Sequence, residues 1–308
     1  MPCTCRSSNW VGSSAAATDA SLAPRVFATN LLSQGWPVLV FLIWIGLSVG
    51  SFLNVVIYRV PVMLKRDWQG QAHEVLELSP PDKSTLPFNL VTPRSRCPNC
   101  EFAIPALHNV PIISWLALRG RCANCKAPIS ARYPLVEILT AVASVAVVAV
   151  YGYTWTGGAA LVFTWAIVAL TFIDFDTKLL PDQITLPLLW LGLIVNLPAA
   201  FTDLASAVVG AIAGYLVLWS IYWVFKLVTG KEGMGYGDFK LLAAMGAWFG
   251  WQALPMLVLI SSIVGIVLGG SFLLIRRSRE AIPFGPYLAI AGWVTLLAHD
   301  RVIAVVFG

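Results

Sequence analysis

The chain has 308 residues, of which 58% are hydrophobic and only 11% are charged, and its mean hydropathy is +0.79. A soluble globular domain carries about 25% charged residues, so this composition excludes a soluble enzyme, a disordered chain and a disulfide-rich secreted domain. The formal net charge of +5 is small, and six cysteines are too few for a disulfide scaffold. The composition therefore predicts an integral membrane protein.

The N-terminal part of the chain divides into a polar tail and a first apolar segment. Residues 1–35 are rich in Ser, Ala and Thr without an apolar period, which predicts a flexible tail. Cys3 and Cys5 lie in this tail and are interpreted as incidental thiols rather than as a metal or redox pair. Residues 36–58 carry no charge, and a helix of this length spans a bilayer core of ~30 Å. The segment lacks the short apolar core and cleavage site of a signal peptide, so it is predicted to be an uncleaved transmembrane helix.

Residues 59–134 form a polar domain with ten Lys or Arg residues, five Asp or Glu residues and four of the six cysteines. These cysteines make two C-x-x-C knuckles separated by 21 residues, namely Cys97, Cys100, Cys122 and Cys125. Paired knuckles at about this distance are typical of zinc sites. Four thiolates complete a tetrahedral site without an open position for water, which predicts a structural zinc ion. The alternative is four free thiols.

From residue 135 onward the chain is again apolar, and it contains seven further candidate spans. They lie near residues 135–151, 158–173, 184–201, 205–225, 239–252, 255–275 and 285–299. The segment 239–252 is short for a span unless it extends to about Leu257. Together with the first segment, the pattern predicts an all-α polytopic membrane protein with about eight transmembrane helices.

The positive charges fix the expected orientation of these helices. Seventeen of the twenty Lys and Arg residues fall in four places that eight spans put on one side: residues 59–134, the loop around Lys178, residues 226–240, and Arg276 to Arg279. Basic loops stay in the cytoplasm. We therefore expect the polar domain to face the cytoplasm and both termini to face outward.

Several carboxylates lie at the ends of the predicted spans on the basic side. Asp174, Asp176 and Asp182 follow the third span in IDFDTKLLPDQIT, Asp238 precedes the sixth in GMGYGDFK, and Glu137 lies at the start of the second. For Asp176 and Asp182, a position at the membrane–water interface without a further role and a functional role fit the sequence equally well. Glu137 is either a functional acid or a buried acid at a helix terminus.

Asp238 is the strongest functional candidate, because three glycines at alternate positions precede it: Gly233, Gly235 and Gly237. This spacing predicts an unwound, mobile backbone, which membrane proteins tolerate only beside protein or a wet cleft. If Asp174 and Asp238 meet there, they share one proton, and one carboxyl group acts as a base while the other acts as an acid. That chemistry is the chemistry of an aspartic protease.

Nucleophilic alternatives have little support in the sequence. It contains no G-x-S-x-G motif, and its three histidines, His73, His108 and His299, form no cluster. His108 is interpreted as a local hydrogen-bonding group.

From about residue 46 to residue 290 the sequence closely resembles the bacterial type IV prepilin peptidases, a family of GxGD membrane aspartic proteases. The matching stretches are GSFLNVVIYRVP, SRCPNC, NVPIISWLALRGRCANC, ISARYPLVE, IDFDTKLLPD and GYGDFKLLAAMGAW. The resemblance implies catalysis by Asp238 and by the acid that lies seven residues before Pro181, which is Asp174. It also implies that Gly235, Tyr236 and Gly237 support the catalytic loop.

The resemblance further implies a bifunctional enzyme of the bacterial inner membrane. Such enzymes cut the basic leader from prepilins and pseudopilins of type IV pilus and type II secretion systems at the cytoplasmic face. They then methylate the new N-terminal amine with S-adenosylmethionine, an activity associated with the zinc-binding domain at 59–134, while residues 135–308 form the peptidase domain. Gly120 is either a turn residue of the second knuckle or part of the methyl-donor site. No nucleic-acid partner is expected.

Three other functions compete with this prediction. One is a peptidase without methyltransferase activity, against which the complete cysteine set argues. Another is a polytopic transporter, although transporters bind near the bilayer midplane and show repeated halves, whereas these acids lie at span ends. The third is a non-catalytic assembly platform, which would not need both Asp174 and Asp238.

Overall fold

The computed structural model is all-helical over the residues that it describes, which are 35–78, 88–105, 109–271 and 283–298. Its α-helices are α1 (Trp36–Val75), α2 (Ile113–Ala117), α3 (Arg132–Tyr151), α4 (Trp155–Thr177), α5 (Asp182–Val195), α6 (Leu204–Thr229), α7 (Tyr236–Phe249), α8 (Leu254–Val264) and α9 (Gly285–Leu297). A 3₁₀ turn, Trp251–Ala253, precedes α8, and a π-helical turn, Gly265–Gly269, continues it.

Some of the sequence predictions concern residues outside these ranges. One is the flexible tail, of which residues up to 34 lie outside, including Cys3 and Cys5. The others concern His108, His299 and the basic group Arg276–Arg279.

Each of the eight predicted spans coincides with a helix, and the all-helical membrane architecture is confirmed. Within the described residues, five helical runs are long and apolar enough to cross a membrane: α1, α3, α4, α6 and the continuous run Trp251–Gly269. Helices α5, α7 and α9 have 14, 14 and 13 residues. At 1.5 Å per residue each is about 20 Å long, which is shorter than the hydrocarbon core of ~30 Å.

Helix α1 continues well beyond the apolar segment that predicted it. It runs for 40 residues through Pro61 to Val75 and is therefore about 60 Å long. Arg59, where the apolar segment ends, is buried in this helix, and its guanidinium donates to the carbonyl oxygens of Asn89 (2.7 Å) and Pro93 (2.5 Å). The charge is satisfied by protein carbonyls, so it does not end the helix. Residues 59–75, predicted as the start of the polar domain, are thus a helical extension of the first span.

Helix α7 lies at the centre of the bundle, and nearly all of its side chains are buried. From Leu241 to Phe249 every residue is buried, including Trp248. The helix ends at Gly250, whose φ of +80° favours glycine. It does not extend to Leu257 because the backbone turns at this glycine into the 3₁₀ turn.

Glycines permit the backbones of α6 and α7 to touch. A Cβ atom built on Gly246 of α7 would overlap the carbonyl oxygen of Gly210 in α6. A Cβ atom on Gly214, one turn further along α6, would lie 2.7 Å from the carbonyl oxygen of Leu242. No side chain fits between these helices, so the position of α7, and of the Asp238 side chain at its start, is fixed by backbone contact.

The end of α7 far from Asp238 is fastened to α5 by a buried asparagine. The Asn196 amide donates to the carbonyl oxygens of Ala247 and Trp248, both at 2.9 Å. Its oxygen accepts from the backbone N–H groups of Phe201 (2.9 Å) and Thr202 (3.2 Å). All four polar positions of this amide are used, so this end of α7 is firmly fastened.

Candidate functional site

The structure brings Asp174 and Asp238 together in one cleft. Asp174 lies in the last turn of α4 and Asp238 in the first turn of α7, and both are buried. Both line a cavity of about 650 Å³. The geometry therefore contains the pair of carboxyl groups that the sequence predicted.

The two carboxyl groups have different surroundings. Asp174 Oδ2 accepts a hydrogen bond from the backbone N–H of Gly285 at 3.0 Å, and a Cβ atom on Gly285 would lie only 2.5 Å from this oxygen. Asp238 Oδ1 is buried and has no hydrogen-bond partner among the described residues. A buried polar atom without a partner is costly unless water or a ligand reaches it. Asp238 thus keeps one buried carboxyl oxygen without a partner beside the cleft.

The neighbouring acids Asp176 and Asp182 are engaged in ion pairs. Asp176 contacts the Arg132 guanidinium at 2.6 and 2.7 Å, which joins the end of α4 to the start of α3. Asp182 accepts from Lys240 Nζ with both oxygens, each at 2.7 Å, and both residues line the rim of the cleft. Of the two acids that end the third span, Asp174 alone lines the cavity.

The glycines before Asp238 serve close packing more than an unwound backbone. Gly235 is the extended N-cap residue of α7, and Tyr236 already begins the helix. Gly237 is therefore helical, and a Cβ atom there would lie 2.7 Å from the Leu180 Cβ atom. The predicted unwound segment is shorter than expected because the helix already begins at Tyr236, and the glycine at position 237 permits the close contact with Leu180.

Aromatic and apolar side chains that the sequence analysis did not select form part of the cleft wall. They are Leu64 and Trp68 from the extension of α1 together with Met234 and Phe284. Trp68 had one available signal: it is the lone aromatic residue in the charged stretch KRDWQGQ, whose helical continuation was not foreseen.

Glu137 lies away from the cleft and joins three parts of the chain. Its Oε2 accepts from the backbone N–H of Ile112 at 2.8 Å, and its carboxyl group also interacts with Ser51 of α1. A Cβ atom on Gly50 would lie 2.7 Å from the Glu137 Cα atom. Of the two alternatives for Glu137, these contacts fit a buried acid at a helix terminus better than a functional acid.

The four knuckle cysteines converge as a metal-binding cluster. Their Sγ atoms all lie within 4.8 Å of one another, with 3.8 Å between Cys97 and Cys125 and 4.0 Å between Cys100 and Cys122. Zn–S bonds of 2.3 Å in a tetrahedron place sulfur atoms about 3.8 Å apart. The cluster therefore fits a metal ion such as zinc.

The two knuckles support each other through their asparagines. Asn99 of the first knuckle donates to Cys125 Sγ at 3.6 Å, and Asn124 of the second donates to Cys100 Sγ at 3.7 Å. The backbone N–H of Ala127, followed by the Asn99 amide, lowers the pKa of the Cys125 thiol to about 6. A thiolate is the form that binds metal, so these donors prepare the cluster for an ion.

Gly120 occupies a turn between α2 and the second knuckle. Its φ is +65°, and a Cβ atom would lie 2.9 Å from the ring of Trp115. Its N–H donates to the Trp115 carbonyl oxygen, and its own carbonyl oxygen accepts from Ile129. Trp115 fills the space beside this glycine, so the geometry accounts for a turn residue. A donor contact at Gly120 stays a prediction.

Comparison with known proteins adds the following matches. Residues 44–151 match the Bacterial Peptidase A24 N-terminal domain, and residues 161–270 match the Type IV leader peptidase family. The chain is 58% identical over 275 residues to the Prepilin leader peptidase/N-methyltransferase of Aeromonas hydrophila, which covers 88% of this chain and 95% of the relative. The chain belongs to the type IV leader peptidase family.

Two further relatives carry the same name. The protein of Stutzerimonas stutzeri is 58% identical over 262 residues, and that of Pseudomonas aeruginosa is 54% identical over 262 residues. Each alignment covers 84% of this chain and 90% of the relative. No solved structure matches the chain.

The two family matches divide the site between them. The N-terminal match contains the cysteine cluster and α1 from residue 44 onward, whereas the leader peptidase match contains Asp174 and Asp238. The cleft nevertheless takes residues from both, because Trp68 belongs to the first match. Gly285, which binds Asp174, lies beyond the end of the second match.

The cluster geometry predicts the metal content of this leader peptidase. We expect about one equivalent of zinc per chain in protein purified without chelators, and we expect Cys97→Ser or Cys122→Ser to remove most of it, because three thiolates bind more weakly than four. Atomic absorption of the purified variants measures this. Cys5→Ser is the matched control and should leave the zinc content unchanged. An unaltered zinc content in Cys97→Ser would contradict a four-cysteine site.

Proposed function

We propose that this protein cleaves the leader peptide of prepilins or pseudopilins by a two-aspartate mechanism and then methylates the new N-terminal amine. The observation that carries the peptidase activity is the convergence of Asp174 and Asp238 in one cavity, with the Oδ1 oxygen of Asp238 unpartnered among the described residues. The names of the relatives at 54–58% identity support both activities.

The chemistry follows from one proton shared by two nearby carboxyl groups. The ionised member of the pair removes a proton from a water molecule, which attacks the carbonyl carbon of the scissile peptide bond. The protonated member donates to the carbonyl oxygen. The carboxyl group that took the proton of the water then passes it to the amide nitrogen, the C–N bond breaks, and the re-forming carbonyl returns its proton to the other carboxylate. Gly285 holds Asp174 in place through its N–H, while Asp238 presents the free oxygen.

The cleft and the cysteine cluster lie on the same side of the helix bundle. This placement supports cleavage at the cytoplasmic face of the inner membrane. The end of α1 and the start of α3 flank the segment with the cysteines, and the ion pair between Arg132 and Asp176 joins that segment to the end of α4. Asp174 lies two residues before Asp176, so the cleft and the cluster lie on one side of the bundle. The basic residues of the sequence mark this side as cytoplasmic.

Zinc in this account is structural. Cys97, Cys100, Cys122 and Cys125 would supply all four ligands, which leaves no position for a reacting water. The ion would hold together a small domain with little apolar core. S-adenosylmethionine, proposed as the methyl donor, would supply an electrophilic methyl group for the amine that cleavage releases. Cleavage must therefore come first.

The peptidase proposal predicts that both aspartates are required. Asp174→Asn and Asp238→Asn should each lower the cleavage rate at least about 100-fold, because an amide can neither accept nor donate the shared proton. Mass spectrometry of a prepilin incubated with purified protein in detergent measures leader removal. Asp176→Asn is the matched control. It breaks only a partly exposed ion pair, worth ~0–1 kcal/mol, and should stay within about threefold of the wild-type rate. Full cleavage by Asp238→Asn would contradict the mechanism.

The methyl-transfer proposal predicts that the two activities separate. Asp238→Asn should still methylate a pilin peptide that already has its mature N-terminus, because the Asp pair acts only on the peptide bond. The gain of one methyl group on this peptide, measured by mass spectrometry with the methyl donor present, tests the prediction. Failure to methylate by a folded, zinc-loaded Asp238→Asn protein would show that the activities share one site.

A further inference from the structure

The extension of α1 beyond the apolar segment reaches the aspartate cleft. Leu64 and Trp68 line the same cavity as Asp174 and Asp238, although they belong to the other half of the chain. Leu64 is buried in an apolar cluster with Ile173, the residue before Asp174. The extension is therefore packed directly against the part of α4 that carries the aspartate.

The extension is also held from the side of the cysteine domain. The guanidinium of Arg66 lies 4.3 Å from the centre of the Phe88 ring, and the guanidinium of Arg59 lies 5.6 Å from it. The hydrogen bonds from Arg59 to the carbonyl oxygens of Asn89 and Pro93 add a second attachment. Contacts on two sides fix the helix, so Trp68 occupies a defined place at the cleft.

The surroundings of Trp68 favour an apolar ligand. Its side chain is 49% exposed, which leaves a large aromatic surface uncovered on the cavity wall. Leu64, Met234 and Phe284 add further apolar surface. The acids at the rim already have partners, since Asp182 pairs with Lys240 and Glu232 pairs with Lys226 at 2.8 Å. The rim acids are thus neutralised, and covering the apolar wall is favourable for a ligand that enters the cleft.

We propose that Trp68 contacts the peptide substrate and packs against an apolar side chain next to the bond that is cut. This inference rests on the proposed peptidase function. Because the two carboxyl groups mark the position of the scissile bond, a side chain in the same cavity must belong to a neighbouring residue of the peptide. The half of the chain that carries the cysteine cluster thus supplies part of the binding site for the peptide that the Asp pair cleaves.

Steady-state cleavage of a prepilin series tests this assignment. The residue on either side of the cut bond is varied among Phe, Leu, Ala and Ser, and KM and kcat are measured for the full chain in detergent. For the wild type we expect kcat/KM to be higher with Phe or Leu than with Ala or Ser at one of these positions. Trp68→Ala should raise KM for the apolar substrates about tenfold and reduce that preference, with kcat little changed. Trp68→Phe should restore most of the preference.

Trp44→Ala is the matched control, because it makes the same change in the same helix at a residue that is exposed outside the cavity. It should leave KM and the preference unchanged. The ratio between two substrates does not depend on the fraction of folded protein, so it remains informative if Trp68→Ala is less stable. An unchanged ratio, or a uniform fall in kcat alone, would overturn the assignment to substrate binding. Cleavage by Asp238→Asn would instead contradict the peptidase mechanism. The substrate preference of Trp68→Ala would still test substrate binding by Trp68 independently.

Discussion

The close packing of α7 is the constraint on which the candidate site depends. Helix α6 approaches it without intervening side chains, and α5 packs closely on its Trp248 ring. A Cβ atom on Gly246 would overlap the carbonyl oxygen of Gly210, and a Cβ atom on Gly192 of α5 would lie 2.5 Å from the Trp248 ring. A helix packed so closely cannot shift to relieve strain at its end. Asp238 is therefore held in a buried place where one oxygen has no partner among the described residues.

The site is assembled from elements that are far apart in the chain. Asp174 comes from the end of α4, Asp238 from the start of α7, and the N–H that binds Asp174 from Gly285 at the start of α9. Helix α1 adds Trp68 as a fourth contribution. Such a cleft forms only when the bundle is complete. The cysteine domain lies between α1 and α3, so it is joined to the cleft through helices on both of its sides.

Much of this arrangement could be predicted from the sequence. The apolar segments marked eight of the nine α-helices in the described residues, the spacing of Cys97 and its three partners predicted the converging cluster, and the motifs selected the two aspartates that line one cavity. These features depend on local pattern or on chemistry that few residue types can perform. The roles of the aspartates and of the metal stay predictions.

The features that were not predicted depend on distant contacts. The length of α1 depends on carbonyl oxygens of Asn89 and Pro93, which satisfy Arg59 and have no local signal. The need for glycine at position 237 depends on close contact with Leu180, which lies 57 positions earlier in the chain. Trp68 became a cleft residue only through the continuation of α1. The predicted helix ended at Arg59, its first charged residue, because the sequence does not indicate which distant carbonyl oxygens accept hydrogen bonds from this side chain.

The central claim is that the position of the two carboxyl groups, and not merely their presence, produces cleavage. Gly285→Ala tests it most directly, because the added methyl group would lie 2.5 Å from Asp174 Oδ2 and must displace this oxygen while both acids remain. Gly158→Ala, where a Cβ atom meets nothing within 4 Å, is the matched control. We expect Gly285→Ala to lose most prepilin cleavage but to keep its zinc and its methylation of a pre-cut peptide, whereas Gly158→Ala should cleave normally. Wild-type cleavage by Gly285→Ala would contradict the account.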